Sequence, residues 1–298
     1  MRKIVTIVLL LSLWLSAVAG IHTYQDHSVL TNGQWVKIRV SESGVCKMTF
    51  SDLQAAGISN PSQVRVFGYG GAMKTQDFSK PNIDDLPQVP VFVGSDYVLF
   101  YVQGPISWAY DNSNGRFVHT RNTYSNYGYY FLTENVGTPL APTAGEAISG
   151  TATDVTSYPM LQVHDKDSIN LIDRSGVSGG GRTFYGEQFE NGTKRTFSFT
   201  TPDALTSEQS TVVVNVAGYA SVSTQFTATL NSSSKSVNIP KYKDNYDCGQ
   251  PGTITVLAAS NAQSQQVQVR YQSSLNSAIG WLNYIELSTP REMIMNGS

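Results

Sequence analysis

Cysteine is nearly missing from this sequence: 298 residues contain two, Cys46 and Cys248. A small disulfide-stapled scaffold needs several closely spaced cysteines, so that class is excluded. The two that exist lie far apart in the chain, and the plainest expectation is two separate thiols. Charge is sparse as well. Asp, Glu, Lys and Arg make up 14% of the chain, and the formal net charge is -2. No basic cluster stands out, so the sequence carries no electrostatic footprint for nucleic acid or for an anionic membrane surface. Histidine is limited to His22, His27, His119 and His164, and none lies beside a Gly-rich elbow. No GxSxG, HExxH or P-loop pattern occurs. The longest apolar run, residues 4–18, is about 15 residues, short of the roughly 20 that cross a bilayer as a helix.

That run has a different reading. Arg2 and Lys3 precede it, and Ala17-Val18-Ala19 closes it with small residues at the two positions a signal peptidase reads. Residues 1–19 are therefore expected to be a signal peptide cleaved after Ala19, and the mature chain to be exported to the periplasm or cell surface, in association with the outer membrane. No cysteine stands near the cleavage point to carry a lipid, and no later segment is apolar enough to span a membrane.

The abundant residues are aromatic and small polar ones. Aromatics reach 11%, with 16 Tyr against 12 Phe. With Ser, Thr, Asn and Gly this is the composition of exported β proteins. The expected fold is mainly β: two consecutive antiparallel domains, the second a jelly-roll-like β-sandwich, with few short helices. Residues 20–185 form the first domain. WVKIRV (35–40) alternates, SESG turns and VCKMTF (45–50) returns, which reads as a hairpin. SDLQAAG (51–57) reads as a short helix with Ser51 as N-cap and Gly57 as C′. Residues 64–105 then combine a strand ended by glycines (VRVFGYGG), a proline-broken run (IDDLPQVPVFV) and a buried strand (DYVLFYVQGP). Pro87 and Pro90 cannot donate to a ladder, so their run belongs on a sheet edge or in extended, solvated chain. The acidic pair Asp84 and Asp85, with Tyr69, marks this stretch as a candidate interaction loop. A turn is expected at 111–115, strands at 117–120 and 127–133, another strand within 151–163, and a helical turn through Ile169, Leu171 and Ile172.

The glycine triplet at 179–181 marks the sharpest change in composition, and the boundary is drawn near Gly186. Beyond it seven alternating, Ser/Thr-rich runs follow at spacings of about 8–14 residues, the pattern of an antiparallel sandwich over residues 186–290. Residues 291–298 read as the start of a linker to a further domain.

Chemistry is thin in this chain. Cys46 sits on a strand beside Lys47, and a neighbouring cation lowers a thiol pKa, but adjacent strand residues point to opposite faces. Cys248 sits in a turn. DKDSINLID (165–173) has a faint D-x-D yet lacks the glycine and the terminal glutamate of a calcium loop, so a solvated loop is the better reading and no metal or cofactor is expected. Tyr219, Tyr242, Tyr246, Tyr271, Trp281 and Tyr284 could offer rings to a glycan, although such rings more often pack in a core.

Taken together, WVKIRVSESGVCKMTFSDLQAAGI, NPSQVRVFGYGG, DFSKPNIDDLPQVPVFV, YVLFYVQGPISWAYD, YSNYGYYFLT, GRTFYGEQF and WLNYIEL resemble, in order, the N-terminal region of the PorU-like sortases of type IX secretion in Bacteroidetes-type bacteria. The sequence departs from the pattern at Cys46, where an aromatic is expected. The resemblance implies a gingipain-type cysteine peptidase family that removes C-terminal sorting domains from cargo and attaches the cargo to the cell surface. The catalytic His and Cys of that family belong to a caspase-like domain after this region, and no position here matches them. The resemblance thus implies a non-catalytic scaffold, with the downstream peptidase domain and outer-membrane secretion components as partners. The alternative from the residues alone is a stand-alone exported β-sandwich that binds glycan or protein.

Overall fold

A computed structural model describes residues 24–77, 79–80, 83–145, 150, 154–171, 183–243 and 248–294. The expected signal peptide, the glycine triplet, Ile172, Tyr246 and residues 295–298 lie outside them. The chain divides into two compact units. The first is Met1–Ser107 with Thr120–Gly145, and the second is Trp108–His119 with Glu146–Ser298. The paired strands are antiparallel, and the α-helix Phe50–Ala55 is six residues long.

The first unit holds two sheets. β1 (Val36–Val40), β9 (Gly128–Thr133), β3 (Arg65–Phe67) and β4 (Gln88–Val89) pair in that order, and β2 (Gly44–Thr49), β6 (Tyr97–Val102) and β5 (Phe92–Val93) form the other. The expected hairpin over 35–50 is not a ladder. β1 pairs with β9 and β2 with β6, so the two strands diverge after the SESG turn into different sheets. Their alternation survives because Val36, Ile38, Cys46 and Met48 all pack on the same core, around Leu53, Val66, Val98, Phe100, Tyr130 and Leu132. Strand periodicity reports the buried face and is silent about the partner. β4 and β5 are both edge strands, flanking Pro90, as the missing proline N–H requires.

Helix α1 (Phe50–Ala55) starts two residues earlier than its propensity suggests. Thr49, rather than Ser51, is the N-cap: its hydroxyl accepts from Asp52 N at 3.1 Å while Asp52 Oδ2 accepts from Thr49 N at 3.1 Å, a reciprocal capping box. The other end follows the expectation. Gly57 has φ +102, its N–H donates to Gln54, and Ile58 N donates to the Leu53 carbonyl, which seats two apolar side chains in the core. Gly70 has φ +77, and a Cβ there would lie 2.6 Å from the Gln103 carbonyl oxygen, so glycine is required by both the dihedral and the space.

The second unit is the sandwich. One sheet runs β10 (Ser157–Asp165), β18 (Ile279–Glu292), β13 (Gln209–Tyr219) and β16 (Gln250–Ala259), with β11 (Gln188–Glu190) also on β18. The other runs β12 (Lys194–Thr200), β17 (Ser264–Gln272), β14 (Thr224–Leu230) and β15 (Ser233–Ile239). All seven alternating runs beyond Gly186 are strands. Between the sheets lie Phe189, Val214, Val216, Phe226, Leu230, Val269, Leu282 and Ile285, all buried. Burying such a side chain stabilises by roughly 1.5–3 kcal/mol. The composition break near Gly186 is not where the sheets divide. β10 lies before it, yet pairs with β18 along nine residues from Ser157 to Asp165. The units are also interleaved rather than strictly consecutive, because residues 108–119 belong to the second. These residues are the distal part of a hairpin, β7 (Ile106–Asp111) and β8 (Arg116–Arg121). Asp111 Oδ1 accepts from Ser113 N at 2.9 Å in its turn, and Gly115 takes φ +62, so the expected turn at 111–115 forms.

Candidate functional site: a buried histidine clasp

The acidic pair does hold something, though within its own unit. Asp84 Oδ2 accepts from Gln25 N, and Asp85 accepts from Ser28 Oγ at 3.0 Å and from Val29 N at 2.6 Å. Asp85 therefore fastens the start of the short 3-10 turn Val29–Thr31. Burial pushes its carboxyl up, but bonds from Leu86 N, Val29 N and Ser28 outweigh that and leave it below the usual range. Tyr69 is a separate feature: its exposed ring carries the Lys74 ammonium at 3.8 Å from the centroid. No hydrogen bond or ring contact between Tyr69 and the two carboxylates is seen, so the three residues are two features rather than one cluster.

The sharper site is one that sequence patterns did not pick out, on the outer face of the β10-β18-β13-β16 sheet. It begins with a bulge. On β18, Leu282 pairs with Val216 and Tyr284 with Asn215, which leaves Asn283 as an extra residue. Its amide is held by Asn215 Oδ1 at 2.9 Å. An inserted residue inverts the alternation beyond it. Before the bulge Leu282 faces the sandwich core and Trp281 faces out. After it Ile285 and Leu287 face the core, and Tyr284 and Glu286 face out. The bulge thus places a carboxylate on the outer face without interrupting the core. Register sets Asp165 of β10 beside Tyr284 and Val213 of β13 beside Glu286.

Residues 108–119 lie over this row. His119 occupies its centre, with its side chain 5% exposed. Its Nε2 stands 2.9 Å from Asp165 Oδ2 and its Nδ1 2.6 Å from Glu286 Oε1. Its backbone N–H donates to the same Glu286 oxygen at 2.9 Å, and Arg116 Nη1 donates to the other, Oε2. The Tyr284 ring meets the imidazole edge-on at 4.8 Å between centroids, and Trp108 packs at 5.7 Å. Asp165 and Glu286 side chains are 8% and 4% exposed.

The protonation state follows from the partners. A carboxylate only accepts, so an imidazole between two carboxylates satisfies both only when both ring nitrogens carry protons. Burial works against that charge, but the bonds to Asp165 and Glu286 overcome it and raise the His119 pKa from 6.5 to about 9. Burial likewise pushes Glu286 up, and the bonds from His119 and Arg116 reverse it, holding the carboxylate below its ordinary 4.5. Two cations thus face two carboxylates. With both nitrogens occupied as donors, this imidazolium offers no lone pair for general-base work or for a metal. What the arrangement can do is fasten a segment of chain to a sheet.

Beside the clasp is a cleft of about 390 Å³ lined mainly by apolar side chains, among them Trp108, Tyr110, Phe117, Leu161, Val213 and Leu257. The rings weighed for glycan binding lie elsewhere or are used. Trp281 and Tyr271 are buried at 1% and 0% exposure, Tyr284 packs on His119, and Tyr219 and Tyr242 stack on each other at 4.8 Å. Burial pushes the Cys46 thiol up, away from the thiolate a nucleophile needs. Among the described residues no group of three or more His, Cys, Asp and Glu has a geometry that could hold a metal, and no helix is long and apolar enough to cross a membrane.

These features define a class: a mainly β chain of two antiparallel units, the second a sandwich clasped by an inserted hairpin. Within that class the chain has a PorU-like fold. It superposes on the crystal structure of dimeric latent PorU from Porphyromonas gingivalis with a TM-score of 0.80 and 28% identity, over 92% of this chain and 26% of that one. The chain thus spans about a quarter of the length of that protein. A family 35 carbohydrate-binding module from an environmental isolate is similar at TM-score 0.28 and 14% identity, over 44% of this chain and 83% of that one. The CBM35 from Cellvibrio japonicus Abf62 is similar at 0.29 and 14%, over 45% and 97%. Scores this low carry no argument about glycans. No family model and no curated protein matches the chain.

Proposed function

We propose that this chain is the non-catalytic scaffold region of a PorU-like sortase, exported and working at the outer membrane, where it supports a peptidase domain of the same polypeptide and the secretion components around it. The observation that carries the reading is the match to PorU along 92% of the chain, at 28% identity and a TM-score of 0.80. The residue chemistry agrees with a supporting role. The buried titratable cluster is a clasp whose imidazolium has no free lone pair, and the Cys46 thiol is held up by burial. In the full-length protein, cleavage of cargo sorting domains and attachment of cargo to the surface belong to the peptidase domain.

Two measurements test this. In cells that make the protein, in-frame deletion of the region coding for residues 24–294 is expected to leave type IX cargo with its sorting domain uncleaved; normal cargo processing would contradict the reading. The purified chain is expected to remain unlabelled by a thiol-directed peptidase probe. Labelling abolished by Cys46→Ala or Cys248→Ala would make the chain itself a peptidase and overturn the scaffold role.

A further inference from the structure

We propose that His119 is a cationic lock on a movable arm: residues 108–119 stay on the outer face of the sandwich while the imidazole carries both protons, and leave it when one proton is lost. The geometry supplies the argument. The arm is fastened by one compact polar group rather than by a ladder: Arg116 and His119 bond Glu286, His119 bonds Asp165, and Arg116 also bonds the Tyr284 hydroxyl. Each ring nitrogen faces an acceptor at 2.6 or 2.9 Å. A neutral imidazole has one N–H. Whichever nitrogen loses its proton then places a lone pair against a carboxylate oxygen at hydrogen-bond distance, in a site where Asp165 and Glu286 are nearly sealed from water. That contact turns from a charge-assisted bond into repulsion, and water cannot relieve it.

The groups that face the ring from every packed element are few. β18 contributes Glu286 and Tyr284, β10 contributes Asp165, β8 contributes Arg116, and β7 contributes the uncharged Trp108. Arg116 balances one carboxylate. With the imidazolium present the set is neutral, and without it the set carries one uncompensated negative charge. The remaining attachment is the apolar contact of Trp108, Tyr110 and Phe117 along the cleft. Tyr110 is 54% exposed, so its share of that hold is small. Release of the arm opens this cleft and bares Val213, Tyr284 and Glu286.

Hydrogen exchange measured by mass spectrometry on the whole chain, corrected for the intrinsic pH dependence of exchange, tests the lock. Peptides within 106–121 report on the arm and peptides within Gln209–Tyr219 report on the sandwich. Between pH 7 and pH 10 the arm is expected to lose protection at least tenfold, with a midpoint near the His119 pKa of about 9, and to become far less protected than the sandwich strand, which stays folded. Nitrogen NMR of the imidazole over the same range should show both ring nitrogens protonated at pH 7. His119→Gln, which cannot carry the charge, is expected to have an unprotected arm at pH 7 and no further loss on raising the pH. An arm that stays protected after the ring has titrated, a ring that titrates near 6.5, or an arm that becomes no less protected than the sandwich strand would each overturn the lock. If His119→Gln does not fold, the wild-type exchange and NMR titrations decide alone.

Discussion

The two outer faces of the sandwich solve the same problem in opposite ways. The β12-β17-β14-β15 sheet meets water with a ladder of neutral polar side chains. Thr227 pairs with Ser236 and Thr229 with Ser234, both at 2.8 Å, Gln225 with Asn238 at 3.0 Å and Ser198 with Gln266 at 2.9 Å. Each bond is exposed and competes with water, so each adds little. The β10-β18-β13-β16 sheet has few such pairs. It carries Glu286 and Asp165 away from water and depends on His119 and Arg116 to make that tolerable. One face is robust because no single side chain matters. The other is specific because every member does, and removing one leaves a buried charge without its partner.

The contrast can be broken most severely at Glu286. Glu286→Ala removes the acceptor of three donors and leaves His119 and Arg116 charged against the sheet. It is expected to cost roughly 3–5 kcal/mol in urea denaturation at neutral pH. Next comes pH. Because the His119 pKa is raised in the fold from 6.5 to about 9, its contribution is complete below pH 6.5 and is lost as pH rises through 9. Stability should fall by on the order of 3 kcal/mol across that window. Glu286 acts in the opposite sense: its lowered pKa makes its contribution present above pH 4.5 and lost as pH falls below it. Denaturation curves of His119→Ala should be nearly flat from pH 6.5 to 9. In the first unit, Asp85→Asn weakens the charge-assisted bonds to Val29 N and Ser28 and is expected to cost about 1 kcal/mol, read from the thermal midpoint. Smallest of all, Thr227→Ala with Ser236→Ala on the open ladder should change stability by less than about 0.5 kcal/mol.

Legibility in the sequence tracks how local each cause is. The seven strands after Gly186 are visible because alternation needs only one strand and one core, and the residues that alternate, such as Val212, Val214 and Val216, are the ones in the sandwich core. The edge position of β4 and β5 follows from proline chemistry alone. Pairing partners are another matter. Val36, Ile38 and Val40 look ready to pair with the next strand, yet their neighbours are Leu132, Tyr130 and Gly128, about ninety residues on. Thr49 and Ser51 are equally good N-caps by type, and Ser51–Gln54 has the same spacing as Thr49–Asp52, so the pattern alone does not choose between them.

The clasp was the least legible part, because its members stand at 116, 119, 165 and 286 and share no motif. One signal was present. In WLNYIELST a lone glutamate interrupts an apolar strand, and a carboxylate at such a place is either exposed by a bulge or buried with a partner. Here a bulge turns it out of the core, and the hairpin residues bury it again. Asp84 and Asp85 show the converse. The pair was conspicuous in sequence, but its partners, the backbone at Gln25 and Val29, leave no mark in a sequence pattern.

The account rests on the claim that the covered face is held by coupled charge and the open face is not. A double-mutant cycle between His119 and Glu286, using His119→Ala and Glu286→Ala and measured by urea denaturation at pH 7 and pH 10, tests it most directly. The expected coupling is at least about 2 kcal/mol at pH 7 and close to zero at pH 10, against less than about 0.5 kcal/mol at both for a matched Thr227/Ser236 cycle. A His119/Glu286 coupling as small as that of the ladder pair, or one that does not change with pH, would contradict it.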